Sequence, residues 1–473
     1  MEILQIMTVT QFLFTYFIII IGGLLIFTAI GHILYQKRSP SSMISWMMAI
    51  LFLPFIAVPL YFVLGIRKRE SKRKKGYVEF YQAKSRKNYT IDASDHSILG
   101  ILEKNGIPPA TKGNTFELIT SDTEAYTRML DEINHATQCI DICTYVFEFD
   151  KTTKALLEAL SKKAQEGVRV RLLLDLVGSL GAYFDQRGFK ALKNAGGEVA
   201  FFVPILKRPL QNYINLRNHR KIYLFDQTTL LSGGMNLSDA YMGENDGTKR
   251  WEDLMYTLKG PCVDDFYAIF HNDWVYATKE EEDPTFIHDD EEHQGEQIVQ
   301  VVPSGPDIPK DALYETLLNA IYNAQERIWI VTPYFIPDDN MVQALVIAQH
   351  KGVDVKLITP KHSDHFFADM GRSPYMRELD EIGVDVVLYE GEMLHAKAIL
   401  FDSMGGMVGS VNLDNRSLFL NYEVVTFVYA EAFIESIESW MEGLMLNASR
   451  GMKKPSKFRE AVENVMKVFA PLL

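Results

Sequence analysis

Two long uncharged apolar stretches open the chain, one between Glu2 and Lys37 and one between Arg38 and Arg67. Each exceeds the roughly 20 residues needed to cross a hydrocarbon core of about 30 Å. The pattern predicts a two-helix membrane hairpin over residues 1–66, with spans near Phe12–Leu34 and Met43–Gly65 and a turn at Ser39-Pro40-Ser41-Ser42. A cleaved leader fits poorly, because the first 36 residues have no basic opening segment and their apolar run is too long. Arg67 to Lys75 then carries seven Lys/Arg, against two in the turn. Basic flanks mark the cytosolic side. Residues 67–473 are therefore expected in the cytosol, with a basic juxtamembrane linker (67–114) lying on anionic headgroups.

Beyond the linker one unit is written twice. Cys139-Ile140-Asp141-Ile142-Cys143-Thr144-Tyr145-Val146-Phe147 corresponds to Arg327-Ile328-Trp329-Ile330-Val331-Thr332-Pro333-Tyr334-Phe335. A helical stretch follows each, then a second apolar run, Gly167–Asp175 and Gly352–Ile358, and a third at Glu198–Val203 and Asp385–Tyr389. Strands alternating with helices indicate an α/β fold with a buried mixed sheet. The expected organisation is repeat 1 (115–285), an acidic linker (286–296), repeat 2 (297–450) and a C-terminal amphipathic helix (451–473). The two repeats form a pseudo-twofold pair. His288 and His293 flank four carboxylates in the linker; a solvated join explains them better than a metal site. Phe458, Val462, Val465 and Phe469 recur at helical spacing and mark a packing or interfacial helix.

Composition sharpens this picture. The net charge of −13 hides a split: residues 1–76 hold nine Lys/Arg and two Asp/Glu, a balance of +7, so the other 397 residues carry −20. An acidic body argues against a nucleic-acid partner. The three cysteines (Cys139, Cys143, Cys262) are too few and odd in number for a disulfide framework or a four-cysteine zinc site.

The chemistry lies at one offset in both copies. His219-Arg220-Lys221, four residues, Asp226, six residues and Gly233-Gly234-Met235-Asn236 match His395-Ala396-Lys397, Asp402 and Gly409-Ser410-Val411-Asn412; in each, Asn follows His by 17 positions. Positions i and i+2 of a strand share a face, so His219 projects with Lys221 and His395 with Lys397. Two imidazoles and two ammonium groups meeting across the pseudo-twofold suit a phosphodiester, with Asn236, Asn412 and Ser410 adding donors for the phosphoryl oxygens. One imidazole attacks phosphorus and the other protonates the leaving alkoxide. The string holds no carboxylate cluster for a divalent ion, so no metal or other cofactor is expected. Each imidazole needs an acceptor on its second nitrogen; the candidates are Asp253 and Glu423, which follow their own motif histidines by 34 and 28 residues. Asp226 and Asp402 either belong to the catalytic set or hold the turn structurally.

The duplicated string resembles the phospholipase D superfamily, and nearly the whole chain resembles the bacterial cardiolipin synthases. Ser45-Trp46, Pro54 to Pro59, Asp175-Leu176-Val177-Gly178-Ser179, Asn215 to Lys221, Ser304-Gly305-Pro306-Asp307, Leu394 to Lys397 and Pro471-Leu472-Leu473 extend the similarity. Gly234 stands where the superfamily usually has Ser, and Glu252 where the synthases often have Arg. The resemblance implies two phospholipase D-like domains behind the hairpin. It also implies a phosphatidyl-histidine on His219, His395 as general acid and then base, and phosphoryl binding by Lys221, Lys397, Asn236 and Asn412. The implied reaction joins two phosphatidylglycerols into cardiolipin in the bilayer and releases glycerol. A membrane-anchored phospholipase D acting on other lipids is the alternative, and a non-enzymatic scaffold a third reading. Homo-oligomerisation stays open. Met393, Leu394 and Phe201 to Leu206 are candidates for an acyl path or for ordinary core.

Overall fold

The computed structural model describes residues 2–35, 40–64, 77–80, 97–202, 216–280, 285–287 and 295–469. The first apolar stretch forms the helix Glu2–Tyr35, and Phe14–Tyr35 within it is 22 residues long and apolar enough to cross a membrane. The second stretch departs from the single span expected. It breaks into Pro40–Phe52 and Pro54–Leu64, of 13 and 11 residues, each below the roughly 20 needed alone. Pro54 causes the break, because it has no N–H for a preceding helix and its fixed φ suits the first turn of a new one. The chain still folds back on itself. His32 Nδ1 lies 2.7 Å from the Tyr61 hydroxyl, and Trp46 meets the Tyr61 ring edge-on. Ser39, the basic run 67–75, the acidic run 288–293, residues 203–206 and the terminal Pro471-Leu472-Leu473 lie outside the described residues.

The first repeat supplies β1 (Thr111–Ile119), β2 (Cys139–Thr144), β3 (Arg169–Asp175), β4 (Glu198–Phe202), β5 (Ile222–Phe225), β6 (Thr229–Gly233) and β7 (Met255–Lys259). The second supplies β8 (Gln297–Ser304), β9 (Arg327–Val331), β10 (Phe335–Ile336), β11 (Asp354–Pro360), β12 (Asp385–Tyr389), β13 (Ala398–Phe401), β14 (Gly405–Gly409), β15 (Leu413–Asp414), β16 (Glu423–Val428) and β17 (Ala448–Arg450). One 15-stranded mixed sheet runs β4-β3-β2-β5-β6-β7-β1-β8-β16-β14-β13-β9-β11-β12-β17. Read outward from the antiparallel β1–β8 junction, the two halves repeat the same strand order, so the pseudo-twofold passes through that junction. β1 begins at Thr111, inside the stretch assigned to the linker. The helix Ser97–Lys104 packs on Ala312–Asn323 of the second repeat, where Asn105 donates to Glu315 at 2.8 Å.

Local sequence explains the layers. Helix Lys151–Gln165 opens on Asp150, which forms a capping box with Thr153, and buries Leu156, Leu157 and Leu160 on the sheet. The central strands β2, β5 and β6 are buried along their whole length, as flanking helices on both faces require. Met393 and the acyl-path residues resolve in part: Leu394 and Phe202 are fully buried core. The C-terminal helix forms over Lys457–Phe469 but sits with its polar side inward. Glu463 is buried between Arg377 and Arg459, whereas Phe458 and Val465 are 81% and 57% exposed.

Of the two roles open to Asp226 and Asp402, catalytic or turn-holding, their hydrogen bonds match the second. Each sits in the left-handed region, with φ of 51° and 47°, at the turn between paired strands (β5–β6 and β13–β14). Asp226 accepts from the backbone N–H of Thr137, Gln138 and Cys139 at 2.7–2.9 Å. Asp402 accepts from Gln325, Glu326 and Arg327 at 2.9–3.2 Å. An acceptor-only carboxylate satisfies the N–H groups that open β2 and β9, which lie too far along the sheet from the motif histidines to share their chemistry. Replacing Asp226 or Asp402 by Ala is expected to lower stability by about 1–3 kcal/mol in denaturant unfolding, from unsatisfied backbone donors. Turnover per folded molecule should stay within about threefold; a complete loss would return these residues to the reaction.

Candidate active site

The motif histidines stand just before β5 and β13, on extended segments that cross to the other repeat. His219 N donates to Tyr422 O at 2.8 Å and Tyr422 N to Arg217 O at 2.9 Å. In the mirror arrangement, His395 N donates to Glu252 O at 2.7 Å and Glu252 N to Met393 O at 2.9 Å. These two short parallel bridges carry the carboxylates across. His219 Nδ1 pairs with Glu423 at 2.9 Å, and His395 Nδ1 with Asp253 at 2.7 Å. Chain spacing had associated each carboxylate with the histidine of its own repeat; the structure exchanges them. Each repeat therefore supplies the acceptor that fixes the other's imidazole tautomer and leaves Nε2 for chemistry.

Both histidines line a single cavity of about 570 Å³, together with Asn236, Asn412, Tyr145, Tyr241 and Trp251. Tyr145 packs on the His219 ring at 4.8 Å between centroids, while Tyr241 and Trp251 pack on His395 at 5.2 and 5.3 Å. Asn236 Oδ1 accepts from Val146 N at 3.1 Å, which commits its oxygen to the backbone, and the side chain also hydrogen-bonds Tyr241 in the cavity wall. Asn412 Oδ1 is buried without a hydrogen-bond partner. Ser410, expected to bind phosphate, is turned away. Its hydroxyl donates to Glu423 at 2.6 Å and accepts from Val424 N at 3.0 Å, so it orients the acceptor of His219. The opposite half has no such hydroxyl. A Cβ on Gly234 would lie 2.1 Å from Asp253 Oδ1, so the shorter carboxylate occupies the space that a serine would need.

The lysines lie behind the imidazoles. Lys221 Nζ donates to the His219 carbonyl at 2.9 Å; Lys397 Nζ lies against the His395 ring, 2.8 Å from Nδ1 and 3.0 Å from Nε2, and donates to the His395 carbonyl. Burial lowers Lys221 to about 7 and Lys397 to about 8, against the pull of Glu423 and Asp253. Burial is also the main cause that lowers both histidines to about 4, with Lys221 and Lys397 adding to it and the carboxylates opposing it. Burial thus favours the neutral imidazole, the state in which a nitrogen lone pair attacks phosphorus; the ring that serves as acid must enter holding a proton. Glu423 and Asp253 stay ionised: burial pushes their carboxyls up, but the adjoining histidines and lysines outweigh it.

The sequence reading missed several supports. Arg220, wholly buried, donates to Asp273 and Asp307 at 2.9–3.0 Å and to the Glu423 carbonyl at 3.1 Å. That gives Ser304-Gly305-Pro306-Asp307 its purpose: Asp307 tethers the segment bearing His219 to the second repeat. Asp175 accepts from Asn218 N at 2.9 Å and holds the same segment from below. Among the described residues, no group of three or more His, Cys, Asp or Glu side chains is spaced to hold a metal ion.

Two buried histidines, each held by a carboxylate from the other repeat around one cavity, define a phospholipase D-type phosphodiester site. Comparison with known proteins agrees. The family model described as "Cardiolipin synthase, PLD-like domain" matches residues 129–274 and 317–445, and a phospholipase D-nuclease N-terminal model matches residues 24–65. The chain belongs to the cardiolipin synthase, phospholipase D-like family. It is 31% identical over 459 residues to a cardiolipin synthase of Clostridium perfringens, covering 93% of this chain and 95% of that protein. It is 31% identical over 473 residues to the major cardiolipin synthase ClsA of Bacillus subtilis, covering 95% of this chain and 97% of that protein. The crystal structure of a phosphatidylserine synthase from Haemophilus influenzae shares the fold, with a TM-score of 0.60 and 16% identity over 79% of this chain and 97% of that one.

Lys221 is half-titrated at about pH 7 and Lys397 at about 8, so the lysine charges are complete only well below that window and are lost as pH rises through it. With those charges needed to hold the phosphoryl oxygens, kcat/KM on a phosphodiester lipid should fall across that window. A profile flat to pH 10, the behaviour of exposed lysines, would remove the lysines from binding. Gly234→Ala should displace Asp253 from His395 and cut turnover by about tenfold or more, since the loss of such an outer partner typically costs 10–100-fold. Wild-type turnover in folded G234A would show that the Asp253 contact is dispensable.

Proposed function

We propose that the cavity joins two phosphatidylglycerol molecules into cardiolipin and releases glycerol. The observation that carries this reading is the pair of imidazoles, oriented from opposite repeats, on one cavity in a chain of the cardiolipin synthase family. One imidazole, neutral, attacks the donor phosphorus as the bond to the glycerol oxygen breaks, while the other, entering as imidazolium, gives its proton to the departing glycerol and, now neutral, takes the proton of the acceptor hydroxyl. Asn236 and Asn412 at the wall, with the charges of Lys221 and Lys397 just behind the imidazoles, stabilise the charge that develops on the non-bridging oxygens.

Transfer competes with hydrolysis, because water and a lipid hydroxyl both attack the same intermediate. Holding the site at a bilayer favours the lipid, since acceptor is concentrated there and water is limited. Support for that placement comes from the apolar Phe14–Tyr35 helix and from Phe366 and Phe367, both largely exposed where His365 and Phe367 reach the cavity. The basic run 67–75 and the short apolar helices after Pro40 favour two crossings with the catalytic body in the cytosol.

Purified full-length protein in phosphatidylglycerol vesicles should yield cardiolipin and glycerol. His219→Ala and His395→Ala should each reduce that yield by about 10³-fold or more while remaining folded. Phosphatidic acid as the sole product would establish the hydrolase reading instead, and wild-type activity in either variant would remove the shared site.

A further inference from the structure

The two halves of the cavity are not equivalent, and the difference bears on the second lipid. Aligning Asn236 with Asn412 places Ala240 opposite Arg416, four residues after each asparagine. Both residues line the cavity. Half the cavity therefore offers a methyl group beside Tyr241 and Trp251, and the other half a partly exposed guanidinium beside Asp414 and Ser417.

The lysines of the duplicated string do not fill this role. Lys221 and Lys397 are 0% and 1% exposed, fold back onto the carbonyls of their own motif histidines, and are not part of the cavity wall. Among the described residues Arg416 is the one Lys or Arg side chain that lines the cavity. Three carboxylates, Glu148, Asp364 and Asp414, share that wall. With the lysines held behind the imidazoles, where the reacting phosphate sits, the guanidinium is the cation that the wall offers to a second phosphate. Arg416 also acts on the groups beside it, opposing the burial that raises Tyr145 and Asp414.

Cardiolipin synthesis brings two phosphodiesters into one site, and only one of them reacts. The first sits on the imidazoles; the second belongs to the acceptor lipid, a glycerol's length from the attacking hydroxyl. We infer that Arg416 binds the unreactive phosphodiester of the acceptor phosphatidylglycerol and so selects an anionic lipid over a neutral alcohol or water. A guanidinium fork suits a phosphodiester's paired oxygens. In the step it serves, the acceptor's oxygen–phosphorus bond forms as the histidine–phosphorus bond breaks, and the hydroxyl proton passes to the other imidazole. Arg416 touches none of these bonds; it places the hydroxyl.

This inference rests on the synthase reading, and its test separates the two. Full-length protein is given phosphatidylglycerol vesicles and labelled free glycerol. Transfer to lipid makes cardiolipin, whereas transfer to glycerol makes labelled phosphatidylglycerol; both products share the first half-reaction. The ratio of cardiolipin to labelled phosphatidylglycerol should fall about tenfold or more in Arg416→Gln, as expected for loss of a charge-assisted contact, with Arg416→Lys in between. A ratio unchanged from wild type, whatever the total rate, overturns the inference. Should Arg416→Gln form neither product, Arg416→Lys decides on the same ratio: a fall supports the inference and an unchanged ratio ends it. Wild-type protein that labels phosphatidylglycerol without making cardiolipin overturns the synthase reading, and the inference with it.

Discussion

An imidazole works as a nucleophile or an acid only when its other nitrogen is held, and here each histidine is held from outside its own repeat. Glu423 reaches across to His219 and Asp253 to His395, each guided by a two-residue backbone bridge. Much of the surrounding structure follows from that exchange. The β1–β8 junction sets the halves in register, Asp307 of the second repeat ties down Arg220 of the first, and Ser410 and Gly234 shape the space around the two acceptors. A small relative slip of the halves would loosen both imidazoles together.

The energetics of the centre are those of buried charge. Arg220, Asp273 and Asp307 lie in a setting where removing one partner strands the others, a loss of roughly 3–5 kcal/mol in comparable sites. The same burial favours neutral histidines and brings the lysines near physiological pH. Stability and reactivity thus draw on one feature, a buried, charge-matched seam between two copies of a sheet.

The duplicated string was legible because its spacing recurs without change, and the α/β class because buried strands alternate with helices in both copies. The pairing of the histidines was not. Partners 204 and 142 residues apart are chosen by the fold and not by local sequence. Short polar residues are ambiguous for a similar reason: an aspartate or serine satisfies a backbone donor as readily as it meets a ligand, so Asp226 and Asp402 read equally as chemistry or as turn, and Ser410 reads as a phosphate donor yet holds Glu423. The break in the second apolar stretch was marked by Pro54, whose missing donor outweighs a continuous run of hydrophobic residues. Arg416 lies outside the repeated string, and only the asymmetry of the cavity draws attention to it.

The last helix inverts the usual arrangement, gripping the domain through Glu463 and the Lys467 ammonium over Tyr375 while Phe458 and Val465 look outward. Peeling such an element away uncovers charge and not greasy core, so the body beneath has little to lose in water. Ionic strength weakens the inner attachment, and any apolar phase that Phe458 and Val465 meet draws on the outer one. The arm is thus governed by two separate solvents, one on each side.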